Sequence, residues 1–220
     1  LAYTGIRAGM YDVALAVGSE KITDPDKMKS LSAYATCMDV EKFGEQLQMM
    51  EKSIEMFPVE IPEGQTPPGE GRSIFMDAYA MGARWHMNRF GSTQRQLAVI
   101  CAKNHFHGSL NPMSQYQMDM TVEEVLADKP IAYPLTRAMC APVGDGAAAA
   151  IVCSEAFLKK LTAPRPIKIR ASVHGSGTDR DFDGKDIGER LSKQAYKMAG
   201  VGPEDISLAE LHDATAYGEL

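Results

Sequence analysis

What this sequence lacks narrows its function before any motif is read. It has no surplus of positive charge: 23 lysines and arginines against 29 aspartates and glutamates leave a net charge of -6. A sequence-independent grip on nucleic acid is therefore not expected, and an acidic ligand would need a local positive site. No apolar run approaches the roughly 18 to 20 residues that cross a bilayer, and none of the residues given reads as a charged-then-apolar leader. The expected setting is the cytosol or an organelle matrix. No Cys-x-x-Cys spacing occurs; Cys37, Cys101, Cys140 and Cys153 are scattered. Each reads as a small buried apolar residue, so neither a disulfide framework nor a zinc site is expected. His105 and His107, read as sharing one side of a strand, have no third ligand nearby, and no metal is expected there.

What is present looks like part of something longer. Leu1 stands where a start methionine would be, and residues 1–10 read as the last turns of a helix. At the other end a His-Asp pair, His212 and Asp213, follows an apolar run just before the sequence stops at Leu220. The 220 residues are expected to be a fragment, long enough for one to two domains.

Between the ends the texture changes several times. Residues 12–18 hold a continuous apolar run that follows Asp12 and is closed by Gly18, the pattern of a strand buried on both faces of a layered α/β protein. Residues 19–71 turn to Met, Glu, Lys, Asp and Pro, with a helical pattern near 40–56 and a break at 58–71, as in an insertion lying on a sheet. The 14 methionines cluster there and at 76–120, where filling irregular gaps in a core is their expected use. Residues 77–90 and 93–104 carry apolar side chains at helical spacing, with Gly91 as stop and Ser92 as N-cap. Thr121 and Glu124 form a capping box ahead of a short helix that Pro130 prevents from continuing. Small residues at 145–150 lead into a strand that ends at Cys153, and imply close packing against a helix or an opposite sheet. A Pro-rich boundary at 162–166 precedes an alternating strand at 167–173, a helix at 186–199 capped by Gly200, and a strand at 206–211 that delivers His212 at its C-terminal end.

Three stretches together resemble the thiolase superfamily, in particular its sterol-carrier-protein-type thiolases and acyl-CoA acetyltransferases. They are GMYDVALAVGSEK at 9–21, AKNHFHGSLNPMSQ at 102–115 continued by PLTRAMCAPVGDGAAAA at 134–150, and ELHDA at 210–214 in the place of the family's His-Asp-Cys-Phe segment. The resemblance implies a five-layer α/β/α/β/α body of two similar domains, with a mainly helical loop domain inserted in the first. In this chain it would place the end of the N-terminal domain at 1–19, the loop domain at 20–143, the last strand and helix of the N-terminal domain at 144–163, and the start of the C-terminal domain at 164–220.

The same resemblance implies the chemistry. A thiolase makes or breaks a carbon-carbon bond beside a thioester, using an acyl-Cys intermediate, donors to the thioester oxygen and an acid/base. By resemblance His212 is the catalytic residue that positions a water or donates to the substrate thioester oxygen, and Asp213 orients its loop. The nucleophilic Cys would precede Leu1 and the Gly-His-Pro and Cys-x-Gly segments would follow Leu220, so none of the chain's cysteines is the nucleophile. Ala214 and Thr215 replace the Cys and Phe of the family segment, which leaves Tyr217 as a substitute acid/base if it points into the site, or a Cys outside the chain. CoA thioesters are the implied substrate, with no further cofactor. Arg72, Arg84, Arg89, Arg95 and Lys103 read as a solvated face. A homo-oligomer and a DUF35-type partner protein are implied as well. A retro-aldol lyase acting on acyl-CoA side chains, needing no acyl-Cys, and a non-catalytic lipid or acyl-CoA binding subunit are the competing readings; fold alone does not separate them. Residues 1–220 by themselves are expected to show no thiolysis of a 3-oxoacyl-CoA in a spectrophotometric assay. Turnover by these residues alone would overturn the placement of the nucleophile outside them.

Overall fold

A computed structural model describes residues 1–36, 39–67, 73–178 and 180–220; Cys37 and Arg72 lie outside the described residues. In chain order the elements are α1 (Ala2–Arg7), β1 (Val13–Glu20), α2 (Lys27–Ala35), α3 (Phe43–Met56), α4 (Ile74–Phe90), α5 (Gln94–Ser109), α6 (Val122–Ala127), β2 (Pro130–Ala132), β3 (Leu135–Thr136), β4 (Gly146–Cys153), α7 (Glu155–Leu158) and α8 (Ile187–Ala199). Short 3-10 turns lie at Arg137–Met139, Pro203–Asp205 and Ala216–Glu219. Two compact units result, one of Leu1–Glu20 with Gly146–Glu210 and one of Lys21–Asp145 with Leu211–Leu220. Among the described residues no helix is long and apolar enough to cross a membrane.

In the first unit β1 and β4 form an antiparallel ribbon, with Val13 opposite Cys153 and Glu20 opposite Gly146. The alanines of β4 therefore lie along β1, with α1 beside the ribbon. The expectation of a doubly buried core strand is corrected: Leu15 and Val17 are each 65% exposed and Ile151 is 75% exposed. Residues 167–173 and 206–211 carry strand-like sequence but no ladder; a strand needs a hydrogen-bonding neighbour, and among the described residues none lies beside them. The first of these segments is instead tied to α8 by Arg170, which donates to the carbonyl of Ala199 at 2.7 Å. Helix α8 itself follows its sequence signals. Asp186 caps it by accepting from the Glu189 amide at 2.7 Å, and Gly200 closes it in the left-handed conformation.

The second unit is built on α4 and α5. Ser73 caps α4, and Gly91, at a φ of 73° that a side chain would resist, ends it. The cap of α5 is Thr93, in a reciprocal box with Gln96. Ser92, expected in that role, bonds His86 Nδ1 at 2.9 Å instead. Helix α5 runs past Asn104 to Ser109. Consequently His105 and His107 do not share a face, because two positions along a helix are about 200° apart. Ala80 and Ala83 of α4, Leu97, Ala98 and Cys101 of α5, Val125 of α6, and Ala132, Leu135, Met139 and Ala216 form one buried cluster. Small side chains bring the helix backbones close, and the larger ones fill the space between. The Thr121–Glu124 capping box opens α6 as its sequence indicates.

Arg84 departs most from its expected solvated role. It is 1% exposed, donating from Nη1 to the Tyr133 carbonyl at 3.1 Å and from Nη2 to Ser53 Oγ at 2.8 Å. A guanidinium cannot shed its charge, so burial requires that its donors find acceptors. The position was legible, since Arg84 falls one turn after Ala80 on the inward face of α4. The same contact explains why α3 buries Ser53 rather than a methionine. Met28, Met49, Met56, Met113 and Met118 are all exposed, so core filling is not their role; Met139 is the methionine in the buried cluster.

Asp145 closes the neck of this second unit. It accepts from the backbone amides of Ile22 and Thr23, each at 2.8 Å, and from Thr23 Oγ1 at 2.5 Å, and it pairs with Lys21 Nζ at 2.7 Å. The Lys21 ammonium, then the Thr23 hydroxyl and backbone donors, hold its carboxyl well below the usual carboxylate range. A native carboxyl with a lowered pKa stabilises the fold above the unfolded-state pKa of roughly 3.9, and that contribution is lost as the pH falls toward the native value. Asp145→Asn is thus expected to lower the Tm at pH 7, and to lower it by a smaller amount at pH 3. A gap of equal size at both pH values would contradict the assignment.

Candidate functional site

The inward stripe of α5 runs Leu97, Cys101, Asn104, spaced by four and three residues. Its first two members are buried apolar side chains; the third is a half-buried amide. A polar residue continuing an apolar stripe needs partners, and Asn104 finds them in the C-terminal segment. Its Nδ2 donates to Asp213 Oδ2 at 3.2 Å and to Glu219 Oε2 at 2.9 Å. The neighbouring Lys103 ammonium pairs with Glu219 Oε1. Burial disfavours the charge on Glu219, but the Lys103 and Asn104 donors outweigh it, with His107 adding to them, and hold the carboxyl below its usual range.

Three further contacts fix this segment. The Ala141 amide donates to the Ala214 carbonyl at 2.9 Å, and Cys140 and Thr215 form an antiparallel bridge. Thr215 and Ala216 are buried as a result. Beyond them the Tyr217 ring lies across α4 at Gly82, where a Cβ would come within 2.6 Å of its Cε1. It also meets the His86 ring edge-on, with centroids 6.5 Å apart. Tyr217, named from the sequence as a substitute acid/base, is thus packed into the helical unit. What stays outside is His212: it is exposed and has no hydrogen-bond partner among the described residues. The arrangement presents an imidazole to solvent from a segment whose neighbours are pinned.

The thiols and remaining histidines have structural surroundings. Cys101 donates to the Ala138 carbonyl at 3.1 Å, and burial, with Cys140 and Asp128 nearby, pushes its pKa up to about 12. Burial first, and Asp128 second, push Cys140 up to about 11. Both are protonated at neutral pH, and neither has the electropositive setting that activates a nucleophilic thiol. His105 faces the Met118 carbonyl with Nδ1 at 3.2 Å and the Ala138 carbonyl with Nε2 at 3.4 Å. Among the described residues no group of three or more His, Cys, Asp or Glu side chains is placed to hold a metal ion. Of the cations read as a solvated face, Arg95 pairs with Glu123 at the surface, Arg89 lies over the Phe90 ring and Lys103 serves the C-terminal segment. Sequence reading singled out His212 and Asp213 but missed Asn104; its place on the stripe of Leu97 and Cys101 was the available signal.

No family model matches the chain. Its curated relatives include the benzoylsuccinyl-CoA thiolase subunit BbsB of Thauera aromatica, 34% identical over 100% of this chain and 51% of the relative. An acetyl-CoA acetyltransferase of Methanothermobacter thermautotrophicus is 34% identical over 94% of this chain and 48% of its own length. Sterol carrier protein 2 of Bos taurus is 33% identical over 98% of this chain and 38% of its own length. The chain thus spans about half the length, or less, of these relatives. Among solved structures, one described as an Ltp2-ChsH2(DUF35) aldolase has a TM-score of 0.67 at 21% identity, covering 100% of this chain and 52% of that one. That likeness shows a shared mixed α/β fold.

The close approach of Tyr217 to Gly82 gives a direct test of how the segment is held. Gly82→Ala is expected to destabilise the protein by about 1–3 kcal/mol in denaturant unfolding, because the ring or the helix must shift. Gly44→Ala, in α3 where a Cβ meets nothing within 4 Å, is expected to stabilise by about 0.5–1 kcal/mol. A Gly82→Ala variant as stable as Gly44→Ala would refute the packing.

Proposed function

On the premise that this chain is a relative of the thiolases and thiolase-type acyltransferases, we propose that it is part of an acyl-CoA acyltransferase in which His212 faces the substrate thioester. The observation that carries this is the His-Asp segment itself, whose imidazole is exposed while the residues on its C-terminal side are clamped to α5 and to the 140–141 backbone. In thiolysis a cysteine thiolate attacks the 3-oxo carbon, the bond between C2 and C3 breaks, and the electron pair passes into the enolate of the departing acetyl thioester. An acid protonates that carbon, and the CoA thiol then takes the acyl group from the cysteine. Claisen condensation is the reverse. His212 serves the enolate: a neutral imidazole donates one N–H to the thioester oxygen as charge develops there. Asp213 orients the loop. The protonated state of Cys101 and Cys140 supports a nucleophile from another part of the whole protein.

The five-layer α/β/α/β/α body, with the loop domain spanning about 20–143, belongs to the same reading. The exposed apolar faces of β1 and β4 support it, since Leu15, Val17 and Ile151 are side chains that a larger sheet would cover. CoA thioesters are the substrates, no further cofactor is required, and the setting is the cytosol or an organelle matrix. A homo-oligomer and a DUF35-type partner complete the proposal, the latter because the aldolase of similar fold carries DUF35 in its description.

A retro-aldol lyase is the second reading, supported by the aldolase of similar fold, whereas Ala214, which leaves the His-Asp segment without its thiol acid/base, speaks for a non-catalytic lipid or acyl-CoA binding subunit. In the retro-aldol reaction no acyl-Cys forms. The test is an assay of the whole protein with acetoacetyl-CoA and CoA. Wild type is expected to cleave the substrate, and His212→Ala to lose about 10²- to 10³-fold in kcat, the usual cost of one oxyanion donor. Absence of thiolysis together with aldol cleavage of a 3-hydroxyacyl-CoA would replace the acyltransferase by the lyase, and a His212→Ala variant with wild-type kcat would remove His212 from either.

A further inference from the structure

Asn104 carries no role in the chemistry just described, yet it is the residue of α5 that reaches both Asp213, ahead of the Ala216–Glu219 turn, and Glu219, the last residue of that turn. We propose that Asn104 is a positioning residue for His212, acting through Asp213 and Glu219; this rests on the reading of His212 as the thioester-oxygen donor. An ionised carboxylate offers only acceptors, and both partners of Asn104 are carboxylates, at 3.2 and 2.9 Å from Nδ2. The amide orientation is thereby forced, since turning it over would set its carbonyl oxygen against both.

The pairing spans the segment from the residue next to His212 to the far end of the turn. Gly218 brings the turn back onto this point: a Cβ there would lie 3.2 Å from Asp213 Cα and 3.7 Å from the His212 carbonyl oxygen. The backbone at His212 and Asp213, the turn and Asn104 thus form a closed loop of contacts. Two carboxylates held by one amide repel each other, and Lys103, paired with Glu219, offsets that repulsion. Glu219 is the acceptor shared by both α5 donors, whereas among the described residues the Asp213 side chain is hydrogen-bonded by Asn104. Loss of the amide therefore frees Asp213 first, and with it the peptide that carries the imidazole. A displacement of about 1 Å in a positioned group costs on the order of 10²-fold in rate, so the effect should be seen in kcat and not in substrate capture.

The experiment uses the whole protein with Asn104→Ala, His212→Ala and the double variant, with acetoacetyl-CoA and CoA as substrates. Asn104→Ala is expected to lower kcat by about 10- to 100-fold with KM changed by less than about threefold, and to have no further effect in the His212→Ala background. Amide hydrogen exchange across 212–219 is expected to quicken in Asn104→Ala while the helices α4 and α5 exchange as in wild type. A multiplicative loss in the double variant, or wild-type kcat in Asn104→Ala, overturns the positioning role. The two levels separate cleanly: a His212→Ala variant with wild-type kcat sinks the donor reading beneath this proposal, whereas unchanged exchange in Asn104→Ala sinks the link between α5 and the His212 segment.

Discussion

The second unit depends on one constraint above the others, which is that α5 must satisfy a polar residue at the end of its buried stripe. Leu97 and Cys101 hold the helix in the core, and that places Asn104 where water cannot fully serve it. The C-terminal segment supplies the acceptors through Asp213 and Glu219. Once that contact is made, the bridge between Cys140 and Thr215 and the seat of Tyr217 on Gly82 follow from short chain lengths. Residues more than a hundred positions apart in sequence are thereby joined into one unit, and a histidine is left facing outward from it.

A second polar contact organises the other side of the unit. Arg84 is charged at any pH the protein meets, so its burial is tolerated because Ser53 and the Tyr133 carbonyl accept from it. That requirement ties α3, α4 and the β2–β3 turn together, and it explains a buried serine in a helix rich in methionine. In both cases an apolar cluster sets the helix position, and a buried or half-buried donor selects which loop docks on it. Hydrophobic burial supplies most of the driving force, while the polar contacts specify the arrangement.

Much of the local structure was legible because its signals are local. Gly91 and Gly200 end helices through their own left-handed backbone, and the Thr121–Glu124 box and Asp186 begin them through side chains within four residues of the backbone they cap. The errors came where a distant partner decides. Residues 167–173 and 206–211 have strand sequence, but pairing is a property of two segments and not of one. Helix α5 continues past Asn104, a residue that often stops a helix, because His105 finds the Met118 and Ala138 carbonyls and Asn104 finds Asp213. Arg84 and Asn104 were both marked by position on an apolar stripe, and residue type alone hid them. His212 and Asp213 came from resemblance to a family motif, and their environment could not be read from spacing.

What emerges is a segment pinned on its C-terminal side, next to an imidazole that has no hydrogen-bond partner among the described residues. Such a group can meet a substrate oxygen without first breaking a bond to the protein, while its backbone is restrained on one side by the α5 donors. The most direct measurement is a crystal structure of the whole protein with acetyl-CoA bound. The account predicts a His212 ring nitrogen at about 2.6–3.2 Å from the thioester oxygen, with the Asn104 amide still on Asp213. A thioester bound elsewhere, with His212 left in solvent, would contradict it.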